Sequence, residues 1–286
     1  MNARLKYLSS CAGKFRDKPR LNCPSCGNST SEIVQRKFLV TALRRCSACR
    51  LQFRTPTTTP EENASFYQSD YKQGFTSDLP DDATLKELLD AKFQGLKKDA
   101  EPYLKMLEAL GRKPGMKLFD FGCSWGYGSW QFRERGGYNV TSFEISKPRC
   151  RFAREKLGIN AYESLDDVPG EDFDIFFSGH VIEHVPSVES ALEYARRKLK
   201  PGGLFIAYTP NGSNDRRQKD PAAWGRNWGM VHPNSLDDVY YKHRLPGVFL
   251  ATPPYDFAAI ASAWEAGKTG VGAKFEGPEL MAAIKF

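Results

Sequence analysis

The nine residues Asp120-Phe121-Gly122-Cys123-Ser124-Trp125-Gly126-Tyr127-Gly128 constrain this chain more than any other stretch. They follow the apolar run 117–121 (KLFDF) and precede a helical pattern at about 127–135, which makes a strand–turn–helix unit. Glycines at 122, 126 and 128 let the backbone turn sharply and approach a ligand closely. The N-terminus of the following helix offers unpaired N–H groups and a positive dipole end, suited to a carboxylate or phosphate. Glu144 closes the next apolar run, twenty-four residues after Asp120, where a carboxylate can accept both hydroxyls of a ribose. The turn reads GxxxGxG, whereas dinucleotide sites read GxGxxG, and no Lys-Ser or Lys-Thr pair closes it as in a P-loop. A GKT does occur at 267–269, but Ser262 stands where a P-loop needs its first glycine.

From Met116 onward, strand-like runs at 117–121, 139–143, 173–178 and 203–208, with a weaker one near 159–162, alternate with helical patterns at about 127–135, 147–157 and 187–199. Segments 247–251 and 279–286 can add the last strands. Alternation of this kind predicts an α/β fold, a doubly wound, mostly parallel sheet with helices on both faces. Upstream, Thr84-Leu85-Lys86-Glu87 has the form of a capping box, and Pro102 opens a further helix that Gly111 ends. The expected divisions are a basic arm at 1–20, a cysteine module at 21–54, a linker with helices at 55–111, and the α/β domain at 112–286. Phe66, Tyr67 and Tyr71 suggest that the linker packs on something.

Cys23, Cys26, Cys46 and Cys49 form two CxxC pairs with nineteen residues between them. Two such knuckles complete a tetrahedral four-thiolate shell, the structural form of a zinc site, and iron fits the same sulfurs. A module of this size lacks an adequate core of its own, so the metal is expected to fold it. Ile33-Val34 and Phe38-Leu39-Val40 read as its short strands. The seven cysteines are an odd number, and the N-terminus lacks the apolar stretch of a secretory signal, so a disulfide framework is not expected. No apolar run approaches the roughly 18 residues of a membrane span, and a soluble, cytoplasmic protein is expected. Residues 1–54 hold twelve Lys/Arg against Asp17 and Glu32, a charge of +10; with +7 for the whole chain, the remainder sums to −3. This split suggests that the module captures an anionic part of an acceptor, with Arg44, Arg45 and Arg50 beside the second knuckle as the candidates.

Taken together, the DFGCSWGYG turn, FEIS at 143–146, FDIFFSGHVIEHVPS at 173–187 and LKPGGLFIAYTPN at 199–211 resemble the class I S-adenosylmethionine-dependent methyltransferases, over roughly residues 100–212. CPSCG, RRCSACRLQFRTP and YQSDY resemble the zinc-ribbon leader that precedes some bacterial methyltransferases, many of which are thought to act on sugars or surface-polysaccharide precursors. The resemblance implies a Rossmann-like methyltransferase fold, S-adenosylmethionine as cofactor, and a structural zinc ion. It places Asp120, Gly122, Ser124 and Gly126 around the methionine part, Glu144 on the ribose and Ile145 on the adenine. Cys123, Trp125 and Gly179 complete the expected cofactor contacts, with Trp125 either over the cofactor or gating the substrate side. Glu163 is the nearest carboxylate for the adenine.

His180-Val-Ile-Glu183-His184 also fits the inverted zinc-protease signature HxxEH, but it follows a buried strand and precedes a helix, so a protease is not expected. His180, at a strand's C-terminal end, and His232 are the candidate bases for an alcohol acceptor, and Tyr208 the candidate orienting hydroxyl. His184 is expected to make structural hydrogen bonds. Thr252-Pro-Pro-Tyr255 lacks the leading amide or acid, and the position, of the loop that amine-directed methyltransferases use, so methylation of exocyclic base amines is not expected. Residues 210–235, with Trp224, Trp228 and His232, form either a substrate lid or an excursion whose tryptophans pack on the core. The expected function is methyl transfer to a small-molecule or sugar-precursor acceptor, O-methylation favoured, the acceptor carrying an anionic or phosphate group. The alternatives are an RNA methyltransferase gripping phosphates with its basic ribbon, and a non-catalytic cofactor-binding scaffold.

Overall fold

The computed structural model describes residues 9, 11–14, 17–65 and 79–286; most of the basic arm, with Phe66, Tyr67 and Tyr71, lies outside the described residues. Among the described residues two sheets form. The smaller joins β1 (Ser31–Lys37), β2 (Thr41–Cys46) and β3 (Gln52–Thr55) to β9 (Asn234–Ser235) in antiparallel order β1-β2-β3-β9. The larger comprises β4 (Lys117–Phe121), β5 (Asn139–Phe143), β6 (Asn160–Tyr162), β7 (Phe173–Gly179), β8 (Leu199–Pro210), β10 (Phe249–Ala251) and β11 (Glu279–Lys285), in the order β10-β11-β8-β7-β4-β5-β6. Pairing is parallel from β6 through to β8, and β11 runs antiparallel to its neighbours β8 and β10.

Both faces of the larger sheet are covered, which is why its strands read as near-continuous apolar runs. Phe119 and Phe121 pack with Phe176, Tyr194 and Phe205 on one face. Leu118 packs with Ile175, Phe177, Ile206 and Tyr208 on the other, as the two-residue period of a strand requires. The chain runs from β4 outward to β5 and β6, then returns to β7 on the other flank of β4. That reversal opens a crevice beyond the strands' C-terminal ends, where open α/β sheets bind ligands.

Two local expectations need correction, and of the two readings of residues 210–235 the packed-tryptophan one holds. Phe38-Leu39-Val40 is a turn and not a strand: Phe38 and Leu39 have φ of 53° and 62°, and Leu39 is 92% exposed. Their apolar character comes from a hairpin tip and not from a buried face. The helix Asp82–Asp90 is capped by Asp81, whose side chain accepts from Thr84 N at 2.8 Å, one turn earlier than the capping-box pattern suggests. Residues 210–235 contain two short helices, Asn214–Lys219 and Pro221–Arg226, and Trp224 and Trp228 are buried with Leu43 of the smaller sheet. Trp228 Nε1 donates to Gln35 Oε1 at 2.6 Å, so the tryptophans fasten this segment to the cysteine module.

Candidate functional site

The glycine turn is shaped by two neighbours. Gly122 has φ +88°, and a Cβ there would lie 2.4 Å from Val181 Cγ2. Its N–H and that of Cys123 donate to Phe143 O at 2.8 and 2.9 Å, which fastens the turn to the end of β5. Gly126, φ +90°, presses against Ala153 of the helix Lys147–Leu157, where a Cβ would meet the Ala153 Cβ at 2.9 Å. Glu144 is 6% exposed; its carboxylate accepts from Ser124 N at 2.9 Å and Ser146 N at 2.8 Å. Burial raises its pKa, opposed by the Ser146 N–H and the Arg149 charge. Each oxygen retains a further lone pair for a ligand hydroxyl. Asp120, buried beneath the turn, accepts from Ser129 Oγ at 2.5 Å, and burial pushes its pKa up to about 7.

A cavity of about 590 Å³ opens at this end of the sheet. Of the residues expected at a cofactor, Gly122, Ser124, Glu144, Ile145 and Gly179 line it. Asp120, Cys123, Trp125 and Gly126 do not. Trp125, 2% exposed, packs beside Phe93 and Phe152 behind the turn, so it neither covers nor gates the cavity. Glu163 is held by Arg154 at 2.7 Å, whereas Asp166, with Leu165, lines the wall. Lys98, Tyr127 and Arg149 also line the cavity, Tyr127 and Arg149 from the first turns of the helices Tyr127–Glu134 and Lys147–Leu157 and Lys98 from the turn before the helix Glu101–Ala109; none of them was expected from the sequence as a site residue. Tyr127 lies inside the glycine-turn stretch and could have been found there, whereas nothing in the turn pattern points to Lys98 or Arg149.

The expected catalytic residues are dispersed. His180 lines the cavity, with φ 57° and a 42% exposed side chain. Its Nε2 lies 2.6 Å from Glu279 Oε2 and its Nδ1 3.6 Å from Glu183 Oε1. Burial opposes charge on this ring, but the two carboxylates outweigh it and raise the pKa to about 10. Glu279, from β11, also accepts from Tyr255 Oη at 2.7 Å, so Tyr255 of the Thr-Pro-Pro-Tyr stretch serves this network. Tyr208 does not reach the cavity: it is 1% exposed among Tyr103 and Phe177. His232 does not line the cavity either; its ring stands 4.6 Å from that of His184, which does.

The four cysteines converge. Cys23 and Cys49 Sγ are 3.5 Å apart, as are Cys26 and Cys46 Sγ, and all four sulfurs lie within 4.8 Å of one another. Thiolates about 2.3 Å from a tetrahedral zinc ion are about 3.8 Å apart, so the donor set fits such an ion. Two of the three arginines suggested for anion capture, Arg45 and Arg44, make structural contacts. Arg45 Nη2 lies 2.6 Å from Asp237 Oδ2, and Arg44 Nε donates to Thr55 Oγ1 at 3.2 Å. Among the described residues no helix is long and apolar enough to cross a membrane.

Residues 119–207, from β4 to β8, match the family model described as a methyltransferase domain. The ubiquinone biosynthesis O-methyltransferase of Paramagnetospirillum magneticum (strain AMB-1) is 36% identical over 106 residues, 34% of this chain and 41% of that protein. The sterol 24-C-methyltransferase ERG6B of Gibberella zeae is 32% identical over 111 residues, 35% of this chain and 29% of that protein. The chain thus spans less than half the length of these curated relatives. The crystal structure of geranyl diphosphate C-methyltransferase from Streptomyces coelicolor A3(2) superposes with a TM-score of 0.47 at 14% identity, covering 79% of this chain and 98% of that one.

Proposed function

We propose that the chain transfers the methyl group of S-adenosylmethionine to a hydroxyl of a small-molecule acceptor, a sugar or polysaccharide precursor being the favoured class. The observation that carries this reading is Glu144. A buried carboxylate, held by two backbone N–H groups at the end of β5, borders the same cavity as the glycine turn. Ser124 and Gly122 would border the methionine part, Ile145 and Leu165 the adenine, and Asp166, next to Leu165, is a carboxylate of the same wall. Lys98 or Arg149 would meet the cofactor's carboxylate.

Methyl transfer is an in-line displacement at the sulfonium carbon, and alignment of the attacking atom is the enzyme's main contribution. When bound, the cofactor supplies the electrophilic methyl group. Gly122, Ser124 and Gly179 would hold the sulfonium end near the C-terminal ends of β4 and β7, where His180 stands. Both His180 ring nitrogens face carboxylates, so His180 is better suited to orient an acceptor or the Glu279–Tyr255 pair than to take its proton. The four-cysteine module would bind a structural zinc ion and, through β9, brace the segment that carries His232.

Calorimetry with S-adenosylhomocysteine tests the reading. Loss of a carboxylate that accepts two hydroxyls is expected to cost about 1.5–3 kcal/mol in the Glu144→Ala variant. Equal affinity in the two proteins would remove Glu144 from the site, and no binding to the wild-type chain would remove the cofactor.

A further inference from the structure

After β7 the chain passes His180 and makes a short 3-10 turn, Ile182–His184. Glu183, in that turn, is 1% exposed, and neither of its carboxylate oxygens has a hydrogen-bond partner. A buried carboxylate in that state needs a compensating charge, part of which the His180 ring supplies from 3.6 Å. Around it stand imidazoles: His184 Nε2 lies 3.7 Å from Glu183 Oε1, and His180 Nδ1 lies 3.6 Å from it. These separations are too long for hydrogen bonds. The His184 separation suits two ligands of a common ion, since donors about 2.1 Å from a tetrahedral centre are about 3.4 Å apart, whereas His180 is held by Glu279 as well.

The histidines are held in the tautomer that such an ion needs. His184 Nδ1 donates to Val231 O at 2.7 Å and His232 Nδ1 donates to Asn227 O at 2.8 Å. A carbonyl only accepts, so each Nδ1 carries a proton, and Nε2 is the lone-pair nitrogen of the neutral ring. Metal-binding histidines are ordinarily fixed in this way. One ligand atom from each of Glu183, His184 and His232 falls within 4.8 Å of the others. The three come together because the 210–235 segment, pinned by Trp228 and β9, returns His232 to the end of β7.

We propose that Glu183, His184 and His232 bind one divalent first-row transition-metal ion. Two imidazoles and a carboxylate suit zinc, iron, cobalt or manganese, and three protein ligands leave a position open. His184 borders the cavity, so the open position can take an acceptor oxygen. This role rests on the methyl-transfer reading given above. Bound there, a hydroxyl becomes more acidic. Its proton passes to solvent, its oxygen forms a bond to the methyl carbon, and the carbon–sulfur bond breaks with the pair kept by sulfur, releasing S-adenosylhomocysteine. The ion thereby supplies the activation that the sequence assigned to a histidine base, and a hydroxyl-bearing acceptor follows from it.

Manganese(II) is the probe, since thiolate sites select softer ions and the cysteine cluster does not compete. The full chain is titrated and the electron paramagnetic resonance signal of the free ion is followed. One equivalent is expected to bind the wild-type chain, with affinity lower by on the order of 100-fold in Glu183→Gln and in His232→Ala. Thermal melts verify folding, and His232→Ala, a loop substitution, decides if Glu183→Gln does not fold. Equal binding by the variants, or no equivalent of manganese or cobalt beyond that held by the cysteines, overturns the proposal. S-adenosylhomocysteine calorimetry on the same samples separates the two readings. A chain that binds the cofactor but no ion loses the metal site alone, and one that binds the ion but no cofactor loses the methyl-transfer reading.

Discussion

Arg45 Nη2 stands 2.6 Å from Asp237 Oδ2, and this pair joins the basic cysteine module to the main domain. Asp237, 1% exposed, also accepts from Gln52 Nε2 and caps the helix Asp238–Arg244 through Tyr240 N. An arginine that the charge pattern suggested for anion capture is therefore a structural tie. Arg45→Ala leaves a buried carboxylate without its cation and is expected to lower stability by about 3 kcal/mol in urea unfolding. A loss under about 1 kcal/mol would mean that Asp237 is served by its neutral donors alone.

Gly122 is doubly constrained, by φ +88° and by Val181. Gly122→Ala is expected to destabilise the chain by at least about 1 kcal/mol and to weaken cofactor binding. Adding Val181→Ala relieves the contact but not the backbone strain, so partial recovery is expected in the double variant. Full recovery would show that only the contact matters.

Asp120 gives a pH signature. Its folded-state pKa, about 7, is above the unfolded value near ~3.9, so the folded chain holds the proton more tightly. Its contribution to stability is fully present below about pH 4 and is lost as the pH rises through about 7. Asp120→Asn removes that dependence. The stability of the variant relative to wild type, from urea unfolding at a series of pH values, is expected to increase between pH 4 and 8. A constant difference would mean that the carboxyl titrates normally.

Loss of the metal ion proposed for the four cysteines is expected to loosen the smaller sheet and the tryptophans packed on it. In Cys46→Ser, elemental analysis is expected to show the loss of about one equivalent of metal. Emission from Trp224 and Trp228, both 2% exposed against Leu43, is expected to shift to longer wavelength. Far-ultraviolet circular dichroism of the larger sheet and its helices is expected to change little. Full metal retention in a variant lacking both Cys23 and Cys46 would remove the assignment.

The strands of the larger sheet, the glycine turn, Glu144 and the two CxxC knuckles were legible in the sequence because each is a local signal. A strand buried on both faces is apolar along its length, a left-handed turn under a clash demands glycine, and paired thiols recur at fixed spacing. Where the local signal misled, the apolar residues were serving something else. Phe38 and Leu39 form a hairpin tip, and Trp125 fills the space behind the turn. Long-range placement had no such signature. Nothing in the sequence pairs Arg45 with Asp237, sends Glu279 to His180, or sets His232 beside His184 across the span between them. Those meetings depend on which strands neighbour one another and on where the tryptophan-bearing segment docks. The chain's own pattern thus determined the fold and the floor of the cavity, whose contacts lie within a few residues of a strand end. Tertiary packing alone decided its charged wall, because a buried carboxylate's partners are chosen by the geometry of the whole sheet and not by spacing along the chain.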